Sequence, residues 1–137
     1  MDRDGHSDQK IREILGLKNV AVVGASREAS KAARFVPEYL AEHGFNIIPV
    51  NPKAGSIMNR KCYKGVEEIP DSVDIVDVFR PSDQVMSVID GIISKKPKVI
   101  WLQEGIHNPE AEGLARERGI DVVFDRCMLA EHRRLFG

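Results

Sequence analysis

A chain of 137 residues, 42% apolar and 30% charged with a formal net charge of −1, has the composition of one soluble globular domain large enough to bury a core. The balanced charge gives no footprint for sequence-independent nucleic-acid binding, and no apolar run approaches the roughly 18–20 residues of a membrane span. Met1-Asp2-Arg3-Asp4-Gly5-His6-Ser7 lacks the apolar region of a secretory signal, and Cys62 and Cys127 form no metal spacing or disulfide framework, so a cytoplasmic setting is expected.

Residues 1–7 are polar and expected to be mobile. Ser7 or Asp8 caps a predicted helix through Leu15, with Ile11, Ile14 and Leu15 on one face and Gly16 at its end. Asn19 to Val23 is an apolar, mostly β-branched run, the pattern of a strand buried on both faces, and it stops at Gly24-Ala25-Ser26. A helix follows between Lys31 and His43, with Gly44 as its stop. Pro37 removes one helical hydrogen bond, so the regular helix either begins near Phe35 or kinks there. Phe45 to Val50 is a second strand, ending at Asn51-Pro52-Lys53.

Ala54 to Pro70 reads as a long irregular connection, with a short strand at Cys62-Tyr63 and a turn at Glu67-Glu68; connections of this length are often functional. Ile75 to Phe79 is the third strand, closed by Arg80-Pro81. A helix from Ser82 or Asp83 to Lys95 carries Val85, Val88, Ile89 and Ile92 at helical spacing. Val99 to Leu102 is the fourth strand, followed by Gln103-Glu104-Gly105. Asn108-Pro109-Glu110 supplies a cap, a proline at the first helical position and an acidic first turn for a helix to about Arg118. Ile120 to Phe124 is the fifth strand, and Asp125-Arg126-Cys127-Met128 leads into a last helix over Leu129 to Leu135.

This alternation predicts a single α/β domain over residues 1–137, a parallel sheet of about five strands with helices on both faces. Ligands in such sheets sit beyond the carboxyl ends of the strands, near the point where strand order reverses. A strand, a small-residue turn and a helix start at Gly24-Ala25-Ser26 form an anion site, beside which Arg27 and Lys31 add positive charge. The dinucleotide fingerprint is incomplete: Ser26 and Ala29 stand at two of the three glycine places, and the second strand ends on Asn51-Pro52-Lys53 with no carboxylate. That argues against NAD and leaves NADP or a nucleotide with a phosphorylated ribose, such as coenzyme A (CoA).

Val20-Ala-Val-Val-Gly-Ala-Ser26, Ile48-Pro-Val-Asn-Pro52, Asp77-Val-Phe-Arg-Pro81, Trp101-Leu-Gln-Glu-Gly-Ile106 and Asp125-Arg-Cys-Met128 together resemble the single-domain CoA-binding proteins. That family is similar to the CoA-binding domain of the succinyl-CoA synthetase α subunit and of ADP-forming acyl-CoA synthetases. The resemblance covers residues 9 to 135 and implies a Rossmann-like three-layer fold with CoA as ligand. It places Gly24, Ala25, Ser26 and Lys31 at the CoA phosphates, and Asn51, Pro52 and Lys53 beside the phosphorylated ribose. Phe79, Arg80 and Pro81 then flank adenine and diphosphate, and Gln103 and Gly105 lie nearer the pantetheine arm. Ala32 and Ala33 depart from the pattern, since the synthetases often have a glycine after the lysine. The synthetases' phosphohistidine and nucleotide-grasp domains exceed this length, so no catalytic role transfers to His43, His107 or His132.

Each of these residues also has a plainer reading. Lys31, Lys53 and Arg80 are otherwise solvated surface charges, Asn51-Pro52 a turn, and Gln103 a cap. Cys127 is either a small buried apolar residue or, beside Arg126, a low-pKa thiol facing the CoA thiol. No Ser-His-Asp set, paired carboxylates or metal motif stands out. The expected function is binding of CoA or acyl-CoA by a module without catalytic machinery, with room for an unidentified protein partner. A small NADP-dependent oxidoreductase and an interaction protein with a vestigial crevice are the alternatives.

Overall fold

The computed structural model describes residues 4–137; residues 1–3, part of the segment expected to be mobile, lie outside it. The chain runs α1 (Asp8–Leu15), β1 (Asn19–Val23), α2 (Ala32–Glu42), β2 (Asn46–Val50), the two-residue strands β3 (Ser56–Ile57) and β4 (Arg60–Lys61), β5 (Ile75–Val78), α3 (Met86–Ser94), β6 (Val99–Leu102), α4 (Pro109–Glu117), β7 (Asp121–Val123) and α5 (Met128–Phe136).

The five long apolar runs pair in parallel in the order β2-β1-β5-β6-β7, a Rossmann-like three-layer architecture. Alternation along β1 divides the core: Val20 and Val22 face α1, α2 and α5 with Ile11, Leu15, Val36, Leu40 and Trp101, while Ala21 and Val23 face α3 and α4 with Ile89, Ile92, Ala111 and Ala115. Trp101, read as core, is fully buried and donates its indole N–H to the Arg126 carbonyl at 2.8 Å. No helix among the described residues is long and apolar enough to cross a membrane.

Local chemistry sets the boundaries. Ser7 Oγ accepts from the Lys10 amide at 3.1 Å, and Asn108 Oδ1 from that of Ala111 at 3.0 Å, each capping its helix. Pro37 lies inside α2, which begins at Ala32 and not near Phe35. The carbonyl left without its helical partner by Pro37, that of Ala33, accepts instead from the Ser26 amide at 3.1 Å. The proline thus stitches the loop after β1 onto the helix. The helix expected from Ser82 opens as a 3-10 turn over Ser82–Gln84 and becomes α-helical at Met86. Pro81 is extended there, and its carbonyl takes the Gln84 amide at 2.8 Å, an i→i+3 bond.

The long connection is more ordered than it reads. Met58 and Asn59, with φ of 58° and 59°, form the two-residue turn of the β3–β4 hairpin. Tyr63 makes a single parallel bridge to Val50, and Val66–Glu68 is a 3-10 turn packed on α3.

Candidate functional site

A cavity of about 310 Å³ opens at the carboxyl ends of β1 and β2, between the sheet and α3. It lies at the switch point, where the chain has placed β2 on one side of β1 and returns to place β5 on the other. The rim is made by Gly24, Pro52 and Arg80, and the apolar walls by Val23, Val50, Val66 and Val88. The remaining lining comes from Lys64, Gly65 and Glu67 of the long connection and from Ser87 and Gly91 of α3.

Gly24 has φ +86°, and a Cβ there would stand 3.4 Å from the Phe79 carbonyl oxygen and 3.5 Å from its Cβ. Those are ordinary contact distances, so it is the positive φ that calls for glycine here. Its amide donates to the Val50 carbonyl at 3.0 Å, and the Ser26 amide is held by Ala33, so these two N–H groups are spent inside the fold.

Arg80 is the polar feature of the wall. Its Nε is buried and has no hydrogen-bond partner among the described residues, although the side chain lines the cavity. A buried donor without an acceptor is costly, and a phosphate oxygen would satisfy it with a charge-assisted bond. With Lys64 beside the same cavity, the donor set fits an anionic nucleotide end.

The other expected residues surround this centre or lie across the sheet from it. Ala25 is buried; its carbonyl accepts from Asn51 Nδ2 at 2.9 Å, while Asn51 Oδ1 accepts from the Lys53 amide at 2.8 Å. Asn51 therefore ties the two rim loops together. Ser26 Oγ accepts from the Glu28 amide at 3.0 Å, and Arg27 Nε donates to the Ser56 carbonyl at 3.2 Å. Lys31 is the N-cap of α2 without a side-chain cap bond and pairs loosely with Glu28 at 3.7 Å. Lys31, Lys53 and Pro81 are exposed.

Gln103 and Cys127 lie toward α5. Gln103 is buried, and its Oε1 accepts from the Met128 amide at 3.1 Å, capping that helix. Cys127 is the half-buried N-cap residue of α5 and packs in the cluster that also holds Phe79. Gly105, with φ +85°, donates its amide to Asp125 Oδ1 at 2.6 Å.

Arg126, the cation beside Cys127 in the low-pKa reading of that thiol, has its charge matched elsewhere. Its Nη2 and Nε meet the Asp4 carboxylate at 2.6 and 3.0 Å, and its Nη1 meets Glu131 at 3.1 Å. Burial pushes the Asp4 carboxyl up, but hydrogen bonds from Arg126 and from the His6 and Phe124 amides outweigh it and hold the group below its ordinary value. Asp4 thus anchors part of the terminal segment. Asp77, inside β5, is fully buried, neither carboxyl oxygen is bonded among the described residues, and burial pushes it well above the usual carboxylate range.

Sequence reasoning missed Lys64, Glu67, Ser87 and Gly91. Two signals pointed to them: the length of the connection, and a glycine inside an otherwise apolar-periodic helix.

Comparison with known proteins decides the family. Residues 18–133 match the CoA binding domain. The chain belongs to that CoA-binding family. This CoA-binding domain is 35% identical over 127 residues to the uncharacterized protein YneT of Bacillus subtilis (strain 168), covering 92% of this chain and 94% of that one. It superposes on a hypothetical protein from Pyrococcus horikoshii OT3 with a TM-score of 0.97 at 43% identity, covering 100% of this chain and 97% of that one. It is also 33% identical over 113 residues to acetate–CoA ligase [ADP-forming] II of Archaeoglobus fulgidus, where the match takes 80% of this chain but spans 17% of the ligase. The domain is thus homologous to the CoA-binding part of ADP-forming CoA ligases.

Proposed function

We propose that this domain binds CoA or acyl-CoA across the carboxyl ends of its strands, as a stand-alone binding module without catalytic machinery of its own. The observation that carries the reading is Arg80, whose side chain lines a cavity at the switch point and whose buried Nε has no hydrogen-bond partner among the described residues. In this reading the nucleotide end occupies the cavity, with Arg80 and Lys64 on phosphate and Pro52 against the ribose. Lys53 takes the ribose 3′-phosphate, while the Gly24-Ala25-Ser26 turn, Arg27 and Lys31 border the diphosphate. The pantetheine arm passes Phe79, Pro81, Gln103 and Gly105 toward Cys127. Near-complete mutual coverage with YneT and the Pyrococcus horikoshii protein supports a module of this size.

Calorimetric titration of ligand-stripped protein with CoA, acetyl-CoA, NADP and NAD tests the proposal. Micromolar CoA binding without NADP binding is expected. NADP binding alone would replace the proposal with an oxidoreductase reading, and silence toward all four would leave an interaction protein.

A further inference from the structure

The cavity has a chemical gradient that the CoA reading leaves unused. Its rim is cationic and its walls are valine, but an acid, Glu67, lines it together with Gly65 and Gly91. Cβ atoms built on these two glycines would stand 1.9 Å from Glu67 Oε1 and 2.5 Å from Glu67 Oε2 respectively. The carboxylate therefore rests in a seat that exists because neither residue has a side chain. Gly91 is inside α3, where glycine is unfavourable by about 1 kcal/mol relative to alanine. The space it leaves is filled by an acceptor.

The position of that acceptor matters. α3 runs back from the strand ends, and Gly91 is the sixth residue of Met86–Ser94, about 7.5 Å along the helix at 1.5 Å per residue. Glu67 thus meets the cavity beside the second turn of α3, whereas Arg80 lies in the segment before that helix begins. A ligand with phosphate at the rim and a flat apolar body between Val23, Val50, Val66 and Val88 would present its far edge to this carboxylate. A carboxylate accepts hydrogen bonds and donates none, so that edge must carry a donor.

We propose that Glu67, seated against Gly65 and Gly91, is a specificity-determining residue that accepts a hydrogen bond from the exocyclic 6-amino group of a bound adenine ring. The inference rests on the CoA reading and deepens it. The seat selects an amino-bearing purine over one with no donor at that edge, because only the amino-bearing ring gives the seated carboxylate a hydrogen bond.

The test titrates the protein with adenosine 3′,5′-bisphosphate and with purine riboside 3′,5′-bisphosphate, which lacks the 6-amino group; CoA is the control. Wild type is expected to prefer the adenosine compound by about tenfold. Glu67→Ala, at an exposed position, removes the preference while retaining the fold, as thermal melting would record. Gly91→Ala places a methyl in the seat and removes the same preference by displacing the carboxylate. The proposal is overturned if Glu67→Ala keeps the wild-type preference, or if wild type binds CoA but shows none. It is also overturned if wild type binds CoA and neither bisphosphate. Absence of binding to CoA and both bisphosphates would instead bring down the CoA reading and this inference with it.

Discussion

Replacing Asp77 by asparagine should stabilise the protein at neutral pH, by an amount that grows with pH. Asp77 pairs in register with Val22 of β1 and Trp101 of β6, and shares the face of Ile75 toward α1, α2 and α5. Both its oxygens are buried without partners, so the native state holds the proton that an unfolded chain releases near the ordinary value of 3.8. Above that pH the native state binds one more proton than the unfolded state, and stability falls as pH rises until native Asp77 itself ionises. The slope from this one group is about 1.4 kcal/mol per pH unit for as long as the native proton is kept, against the roughly 5–15 kcal/mol typical of a whole domain. Urea unfolding of both proteins from pH 4.5 to 8, followed by the fluorescence of Trp101, the single tryptophan, measures it. Other titrations cancel in the difference between the two proteins. A difference independent of pH from 4.5 to 7 would show that native Asp77 ionises as the unfolded residue does, and the reasoning would fail.

Three other changes have distinct outcomes. Lys53→Ala should weaken CoA about tenfold and dephospho-CoA little, because only CoA carries the ribose 3′-phosphate; equal losses by calorimetry would remove Lys53 from that role. Arg80→Gln should lower CoA affinity by roughly 10- to 100-fold without lowering Tm, since Nε has no partner inside the fold; a lowered Tm with unchanged affinity would make Arg80 structural. Asp4→Ala removes one of the two carboxylates on a guanidinium whose side chain is 5% exposed, leaves it paired with Glu131, and should cost about 1–3 kcal/mol. Because pairing holds Asp4 below its ordinary value, its contribution is present above pH 4 and lost as acid protonates the native carboxylate, so the two proteins should converge in stability in acid denaturation.

What the sequence made legible was chemistry confined to a few neighbouring residues. Val99–Leu102 is a strand with its expected limits because four apolar residues sit between polar ends, and Asn108-Pro109 starts α4 because cap and proline act within one turn. Contacts between distant residues were not legible. Asp4 and Arg126 meet across 122 positions, and nothing in either neighbourhood announces the other. Gln103 was expected near a ligand or in a cap, and only the placement of α5 beside the end of β6 shows that it caps Met128. Pro37 was read correctly as the loss of a helical bond, but its consequence, an Ala33 carbonyl free to bind Ser26, needed the loop to fold back. In the cavity, Arg80 was legible as a cation after a strand. Glu67 was hidden because a surface glutamate in a connection has no local mark until Gly65 and Gly91 are brought to it.

The strand pleat gives the proposed site two sides. Val23 and Val50 belong to the α3 face, where the cavity lies, whereas Phe79 and Cys127 pack with the opposite layer and Gln103 reaches α5. At about 310 Å³ the cavity is at the low end of the roughly 300–1,000 Å³ of small-molecule sites, so in the proposed reading it takes only one end of CoA. A ligand that enters it and also reaches Cys127 has to cross the rim of the sheet. The crossing falls where Gly24 faces Phe79, and any side chain at Gly24 would extend against the Phe79 backbone in a conformation that L-residues rarely adopt. In the proposed CoA reading Gly24 therefore acts at this crossing through its lack of a side chain more than through its amide, which is already bonded to Val50.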